Sequence, residues 1–348
     1  MSIVADEYDH VIGVDTHART HTYAILEAAT GRLMVSGTFP TTPGGMSRAI
    51  SWVQCHAGGS VLAAVEGTGS YGATLTRRLA HEGIDVREVK PPRRNERRTR
   101  GKSDELDAIA AARTAIASPL TELAQPRADG ARSALRVLLV ARQALDSRRT
   151  ADKNTLLALL RSFDLGIDSR KALTITTTRQ INQWRPRPTD DDATATIRGE
   201  ARRLADSALS AMEQLKANEA ALTHHVELLA PGLQNTLGVG PVTGAIILTA
   251  YSHPGRIRSE AAFANMAGVA PLEASSGNTI RHRLSRRGDR QLNRAIDVIA
   301  RTRMTCDLST RAYIERRTKE GRTPREIRRS LKRYIARQLF RQLGAIMT

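Results

Sequence analysis

The chain has 348 residues, 41% of them hydrophobic, which is enough for two or three domains with cores of their own. Its formal charge of +18 points to a polyanionic partner, nucleic acid by default, and to binding that weakens steeply as salt rises. No run of about 18 apolar residues and no amino-terminal signal pattern is present, which argues against a membrane protein and leads to the expectation of a soluble, cytoplasmic one.

Twelve aromatic residues are too few for a protein that grips single strands mainly by stacking bases, so phosphate contacts must carry most of the affinity. Cys55 and Cys306 are too few and too far apart for a zinc cluster, and they read as small core residues.

In chain order, the first predicted strand is the apolar run Val11 to Val14 within VIGVDTHARTHTYAIL, which carries Asp15. An unpaired carboxylate costs several kcal/mol or more to bury, so Asp15 must be protonated, paired or metal-bound. TGR at Thr30 to Arg32 suits a hairpin, and a helix follows from about Pro43 to Trp52. VLAAVEGTGSYG repeats the first arrangement, with a strand from Val61 to Val65 that ends in Glu66 before a Gly-rich turn. A helix from Ala73 to Glu82 leads to the strand Val86 to Lys90, expected beside the Val61 to Glu66 strand.

KPPRRNERRTRGK then gathers seven basic residues, Lys90, Arg93, Arg94, Arg97, Arg98, Arg100 and Lys102, against the single acid Glu96. Pro91 and Pro92 break the preceding strand, and the loop is placed to clamp phosphates. In GKSDELDAIAAARTAIA, Ser103 is a good N-cap for an Ala-rich helix. The spacing of three puts Asp104 and Asp107 on one face, and the positive helix N-terminus favours negative charge there. Any one of these acids alone reads as a solvated or capping group. Strand acid, strand acid and helix pair in this order form a set of oxygen ligands suited to a hard cation such as magnesium.

From about Pro126 long polar helices take over. Ala131 to Phe163 carries Leu135, Leu138, Leu139, Leu145, Leu156 and Leu160. From Leu204, alternating steps of four and three land on Ala208, Ala211, Leu215, Asn218, Leu222, His225 and Leu229, the seam of a coiled-coil arm. Its partner is either another protomer or an antiparallel helix of the same chain, and the stretch Asp164 to Asp192 reads as a linker or small excursion. LQNTLGVGPVTGAIILTAY, with Leu237, Gly238, Val239 and Gly240, resembles the hairpin of a helix-hairpin-helix, which offers backbone N–H groups to a phosphate. In APLEASSGNTIRHRLSRRGDR, Ser275, Ser276 and Gly277 precede five arginines between Arg281 and Arg290. A serine hydroxyl among phosphate-binding arginines can attack a phosphodiester and conserve its energy as a phosphoserine. The terminal helix from Thr323 has a basic and an apolar face.

GVDTH, EGTGSY, KSDELDA and the distal APLEASSG with RRGD together resemble the transposases of insertion-sequence family one-ten, which include Piv-type invertases and bridge-RNA-guided recombinases. The resemblance runs from about Asp9 to the carboxyl terminus. It implies an α/β plus α protein: a RuvC-like (ribonuclease-H-like) domain at 9–125, a coiled-coil helical arm at 126–230 with a linker near 164–195, and a serine-bearing, mainly helical transposase domain at 231–348. It further implies that Asp15, Glu66, Asp104 and Asp107 bind magnesium and that Ser276 is the nucleophile, with Ser275 the weaker candidate. A site composed across a dimer, two dimers joining two duplexes, and a structured guide RNA that reads sequence by base pairing complete the expectation.

Arg281, Arg283, Arg286 and Arg287 are expected to touch phosphate or RNA. His17 and His21 follow Asp15 and could join the metal site, but magnesium's preference for oxygen favours reading them as strand or turn histidines without that role. Two other classes remain: a RuvC-like junction-resolving nuclease that uses the four acids without a serine, and a non-catalytic nucleic-acid-binding protein that uses only the charge.

Overall fold

The computed structural model describes residues 2–89, 103–127, 129–273, 282–284 and 288–347. They form two compact units, residues 1–128 and 129–348.

The first unit is built on a mixed sheet. Its strands are β1 (His10–Thr16), β2 (Thr20–Glu27), β3 (Leu33–Pro40), β4 (Val61–Val65) and β5 (Asp85–Glu88), in the spatial order β3-β2-β1-β4-β5. The first three strands form an antiparallel meander, and β4 and β5 add on parallel to β1. Among the described residues four α-helices accompany it: α1 (Val4–Glu7), α2 (Pro43–His56), α3 (Ala73–His81) and α4 (Asp104–Ile116).

Alternation along the strands sorts the two faces. Ile12, Val14, Tyr23, Ile25, Ala63 and Val65 pack with Ala49, Ile50 and Val53 of α2 and Leu75 and Leu79 of α3. Val11, Ala24, Leu26, Leu62 and Ala64 point the other way, against Ala108, Ala111, Ala112 and Ala115 of α4.

The alanine stripe lets α4 lie very close to β1, and Gly13 completes the fit. A Cβ at Gly13 would stand 1.8 Å from the carbonyl oxygen of Ala108 and 2.7 Å from the amide nitrogen of Ala112. Gly13→Ala must therefore push the helix off the strand. We expect a loss of about 1–3 kcal/mol in a denaturant titration.

The second unit opens with a long antiparallel hairpin of α5 (Ala131–Ser162) and α7 (Asp192–Leu229). Asn218 donates to the Leu138 carbonyl at 3.0 Å near one end, and Arg148 and Asp152 meet Ser207 further along. The seam partner is thus a helix of the same chain. Asn218 is buried, and Arg142 beside it donates to the Leu215 carbonyl at 3.2 Å and pairs with Glu219.

The seam departs from the heptad near its end, where Val226 is buried and His225 and Leu229 are only partly so. A straight α-helix drifts about 20° per heptad against a 3.5-residue repeat, which moves the contact stripe by one residue over this length.

Of the two readings of the stretch between the long helices, linker or small excursion, the structure shows the excursion. Helix α6 (Ile175–Asn182) lies within it, and Leu173 and Ile181 share a core with Leu156, Leu160, Ala201, Leu204 and Ala205. Arg198 forms an ion pair with Asp190, 3.1 Å apart, and lies 4.4 Å over the Trp184 ring, closing this end of the hairpin.

At the other end Leu135, Leu222 and Val226 join a larger core made with α8 (Pro241–Tyr251), α9 (Glu260–Met266), α10 (Arg290–Cys306) and α12 (Pro324–Ile346). Helix α11 (Leu308–Lys319) and a short antiparallel ribbon, β6 (Pro271–Glu273) with β7 (His282–Leu284), complete the unit.

One sequence expectation is corrected. Cys55 and Cys306 are exposed, because each lies near the carboxyl-terminal end of a helix, off its apolar stripe. In the Leu237–Gly240 turn two of the backbone donors are engaged within the chain. The Val239 N–H is taken by the Thr236 carbonyl and the Gly240 N–H by the Thr243 hydroxyl, so the turn serves as the cap of α8.

Candidate metal centre

Asp15 is the next-to-last residue of β1, on the α4 side of the sheet with Val11 and Gly13. The residue is 6% exposed. β4 runs parallel to β1 with Val14 beside Val65, so Glu66, the first residue past β4, comes level with Asp15. The Glu66 amide donates to the Val14 carbonyl at 3.1 Å, and the Thr16 hydroxyl donates to the Glu66 carbonyl at 2.9 Å. Alternation along β4 puts Glu66 on the same face as Leu62 and Ala64, the face of Asp15.

The helix pair arrives from α4. Ser103 caps it as expected, accepting from the Leu106 amide at 3.2 Å. Asp104 and Asp107 continue the stripe Ala108, Ala111, Ala115 toward the helix N-terminus, so the stripe that packs on the sheet ends in carboxylates. The close approach at Gly13 delivers Asp104 to Asp15.

His17 also belongs to the site. It opens the β1–β2 turn, where its amide donates to the Thr20 carbonyl, and its ring folds back over the strand end. Nε2 lies 2.9 Å from Asp15 Oδ2 and 3.5 Å from Asp104 Oδ1. Ligand atoms of Asp15, His17 and Asp104 all lie within 4.8 Å of one another. The expectation that set His17 outside the site is therefore not met in its placement: a histidine two residues past a strand acid, in a tight hairpin, turns back toward that acid. His21, on the face of Tyr23, is buried away from it.

Burial is the main influence on the Asp15 carboxyl and raises its pKa; His17 acts against this, and Asp104 and Asp107 add to it by repulsion. Acids that repel one another around a buried carboxylate are a poor arrangement for metal-free protein. The same oxygen-rich donor set fits a metal ion, which would remove both penalties.

Ser275 and Ser276 lie outside the described residues, as do Arg93, Arg94, Arg97, Arg98, Arg100, Lys102, Arg281, Arg286 and Arg287. Arg283 falls in β7, where the backbone alone is described. The roots of the serine-bearing segment are described. The Asp289 amide donates to the Met266 carbonyl at 2.7 Å, and a Cβ at Gly288 would stand 2.3 Å from the Gly268 amide nitrogen.

A mixed five-stranded sheet with acids at adjacent strand ends and on a crossing helix defines a ribonuclease-H-like domain of the DEDD kind, here followed by a long helical hairpin and a helical distal unit. Comparison with known proteins gives the family. Residues 12–164 match the DEDD-type profile of IS110 elements, described as a transposase, and residues 231–315 match the transposase family IS116/IS110/IS902. The chain belongs to the IS110 family of transposases. It is 34% identical over 143 residues to an insertion element IS110 uncharacterized 43.6 kDa protein of Streptomyces coelicolor, a match spanning 40% of this chain and 35% of that relative's length. No helix among the described residues is long and apolar enough to cross a membrane.

Proposed function

We propose that this protein is the DNA recombinase of an insertion sequence, cutting and rejoining strands through a phosphoserine at Ser276 with magnesium at the acidic site. The observation that carries this reading is the convergence of Asp15, His17 and Asp104 at one end of the sheet, in a chain whose two matched segments are both transposase segments.

Asp15, Glu66, Asp104 and Asp107 would hold the ion, and His17 would orient Asp15 from the side. A bound magnesium supplies Lewis acidity toward a phosphodiester oxygen. The chemistry at the serine balances without a co-reactant. The hydroxyl of Ser276 gives up its proton as Oγ bonds to phosphorus, and one sugar oxygen leaves and takes up a proton. Attack by a new sugar hydroxyl then re-forms a diester and frees the serine. Arg281, Arg283, Arg286 and Arg287 would offset charge on the phosphoryl oxygens, and the Lys90 to Lys102 segment would hold backbone phosphates.

In this reading a structured guide RNA selects the DNA by pairing while the protein holds backbones. The site is composed across a dimer, and pairs of dimers join donor and target in the cytoplasm. The domain division at about 125 and 230 belongs to the same proposal.

Metal removal tests the carrying observation. Strand cleavage of DNA that spans the element's ends should stop in excess chelator, return with magnesium, and not return with the buffer alone. Cleavage that persists in chelator would refute the metal centre. Cleavage that needs metal yet never yields a protein-DNA adduct would favour the junction-resolving nuclease.

A further inference from the structure

In the distal unit, three cations converge on one carboxylate. Asp297 of α10 meets the Arg301 guanidinium at 2.9 Å on one oxygen, and Lys332 at 3.3 Å and Arg328 at 3.6 Å on the other. Lys332 also donates to the Asn293 side-chain oxygen at 2.7 Å, and its side chain is only 11% exposed. One carboxylate offsets one positive charge, so the cluster keeps a surplus of two among these groups. An interhelical clamp needs a single cation. Gathering three around one acid repels them from one another unless a further anion joins.

The two arginines keep much of their surface in solvent, 66% for Arg301 and 41% for Arg328, so an anion can reach them. At 100° per residue, Arg290, Arg294, Asp297 and Arg301 share one exposed side of α10. The stripe extends about 16 Å along the axis at 1.5 Å per residue.

The position is informative too. The Asn293 side chain donates to the Ala267 carbonyl at 2.7 Å, beside the Gly268 and Gly288 roots of the segment that bears Ser276. Asn293 therefore touches both the cation cluster and the base of that segment. Burial lowers the Lys332 pKa, with Arg328 and Arg301 adding to this and Asp297 opposing it, as expected of an excess of positive charge.

We infer that Arg294, Arg301, Arg328 and Lys332 form a binding site for backbone phosphates of duplex DNA, arranged by Asp297 and anchored through Asn293 to the roots of the serine-bearing segment. The site would hold the duplex that the segment acts on. The inference deepens the recombinase reading and rests on it for the identity of the polyanion.

The test measures binding of a fluorescent duplex of arbitrary sequence by the full-length protein, without divalent metal, from about 50 to 200 mM salt. Each lost phosphate contact should reduce the log-log slope by about 0.9. We expect a reduction of about 0.9 for Arg301→Gln and about 1.8 for the Arg301→Gln, Arg328→Gln double variant, with the same melting temperature for Arg301→Gln as for wild type.

Arg337→Gln is the control. Arg337 lies half a turn round α12 from Arg328 and pairs with Glu260 at 2.6 Å, so its loss should leave the slope unchanged. An unchanged slope in Arg301→Gln would overturn the inference, as would an equal reduction in Arg337→Gln. A reduction seen with an RNA hairpin but not with duplex DNA would overturn the assignment to DNA. Because the assay needs neither metal nor Ser276, it is separable from the recombinase reading. If wild type forms no covalent adduct but the slopes fall as stated, the recombinase reading fails and the phosphate site stands. If an adduct forms but the slopes do not change, the phosphate site fails and the recombinase reading stands.

Discussion

Asp15→Asn should abolish magnesium-dependent strand cleavage while leaving the metal-free protein at least as stable as wild type. A bound divalent ion contributes several kcal/mol to a phosphoryl-transfer transition state, so losing its central ligand should cost roughly a thousandfold or more in rate. The stability half follows from the raised pKa of Asp15. A carboxyl whose folded pKa exceeds its unfolded one favours the fold below the unfolded pKa, near 4, and loses that contribution as pH rises through the folded value.

At neutral pH the metal-free wild type therefore carries a buried charge that asparagine does not. The variant should melt at an equal or higher temperature at pH 7, and the difference should shrink toward acid. Added magnesium should raise the melting temperature of wild type and not of the variant. A variant that keeps both cleavage and the magnesium-induced shift would remove Asp15 from the metal centre.

Ser276→Ala should eliminate the covalent protein-DNA adduct and strand rejoining, with magnesium binding intact. The hydroxyl is the group that bonds to phosphorus in the proposed scheme, and alanine has nothing to replace it. Removal of an enzymic nucleophile typically costs on the order of 10⁴-fold or more. A denaturing gel of protein, co-purifying RNA, magnesium and DNA spanning the element's ends reads the adduct directly. Persistence in Ser276→Ala with loss in Ser275→Ala would move the role by one residue. Metal-dependent cleavage that is unchanged in both, with no adduct, would make the protein a nuclease.

Much of the first unit is legible in the sequence because its elements are set by local pattern. Ile12 and Val14 alternate with Val11 and Gly13, Ser103 caps a run of alanines, and spacing alone puts Asp104 and Asp107 on one helical face. The strand expected to lie beside Val61 to Glu66 does so, as Asp85–Glu88.

What escapes a reading of the sequence depends on contacts distant along the chain. Leu173, Ile181 and Trp184 are too sparse to announce a core until α5 and α7 bring Leu156, Leu160 and Leu204 to meet them. A strict heptad count runs past the point where a straight helix turns Val226 inward. Magnesium's preference for oxygen does not place His17, whose position follows from the tight turn that folds it onto Asp15. The packing of Gly13 has no sequence signal, since a lone glycine in a strand does not say what approaches it.

The roots at Gly268 and Gly288 have a consequence for the helical core. A Cβ at Gly288 would stand 2.3 Å from the Gly268 amide nitrogen, and Gly268 holds a φ of 65°, the left-handed region that favours glycine. Substitution at Gly288 should therefore be felt in the helical core on which the segment is mounted, not only in the segment itself.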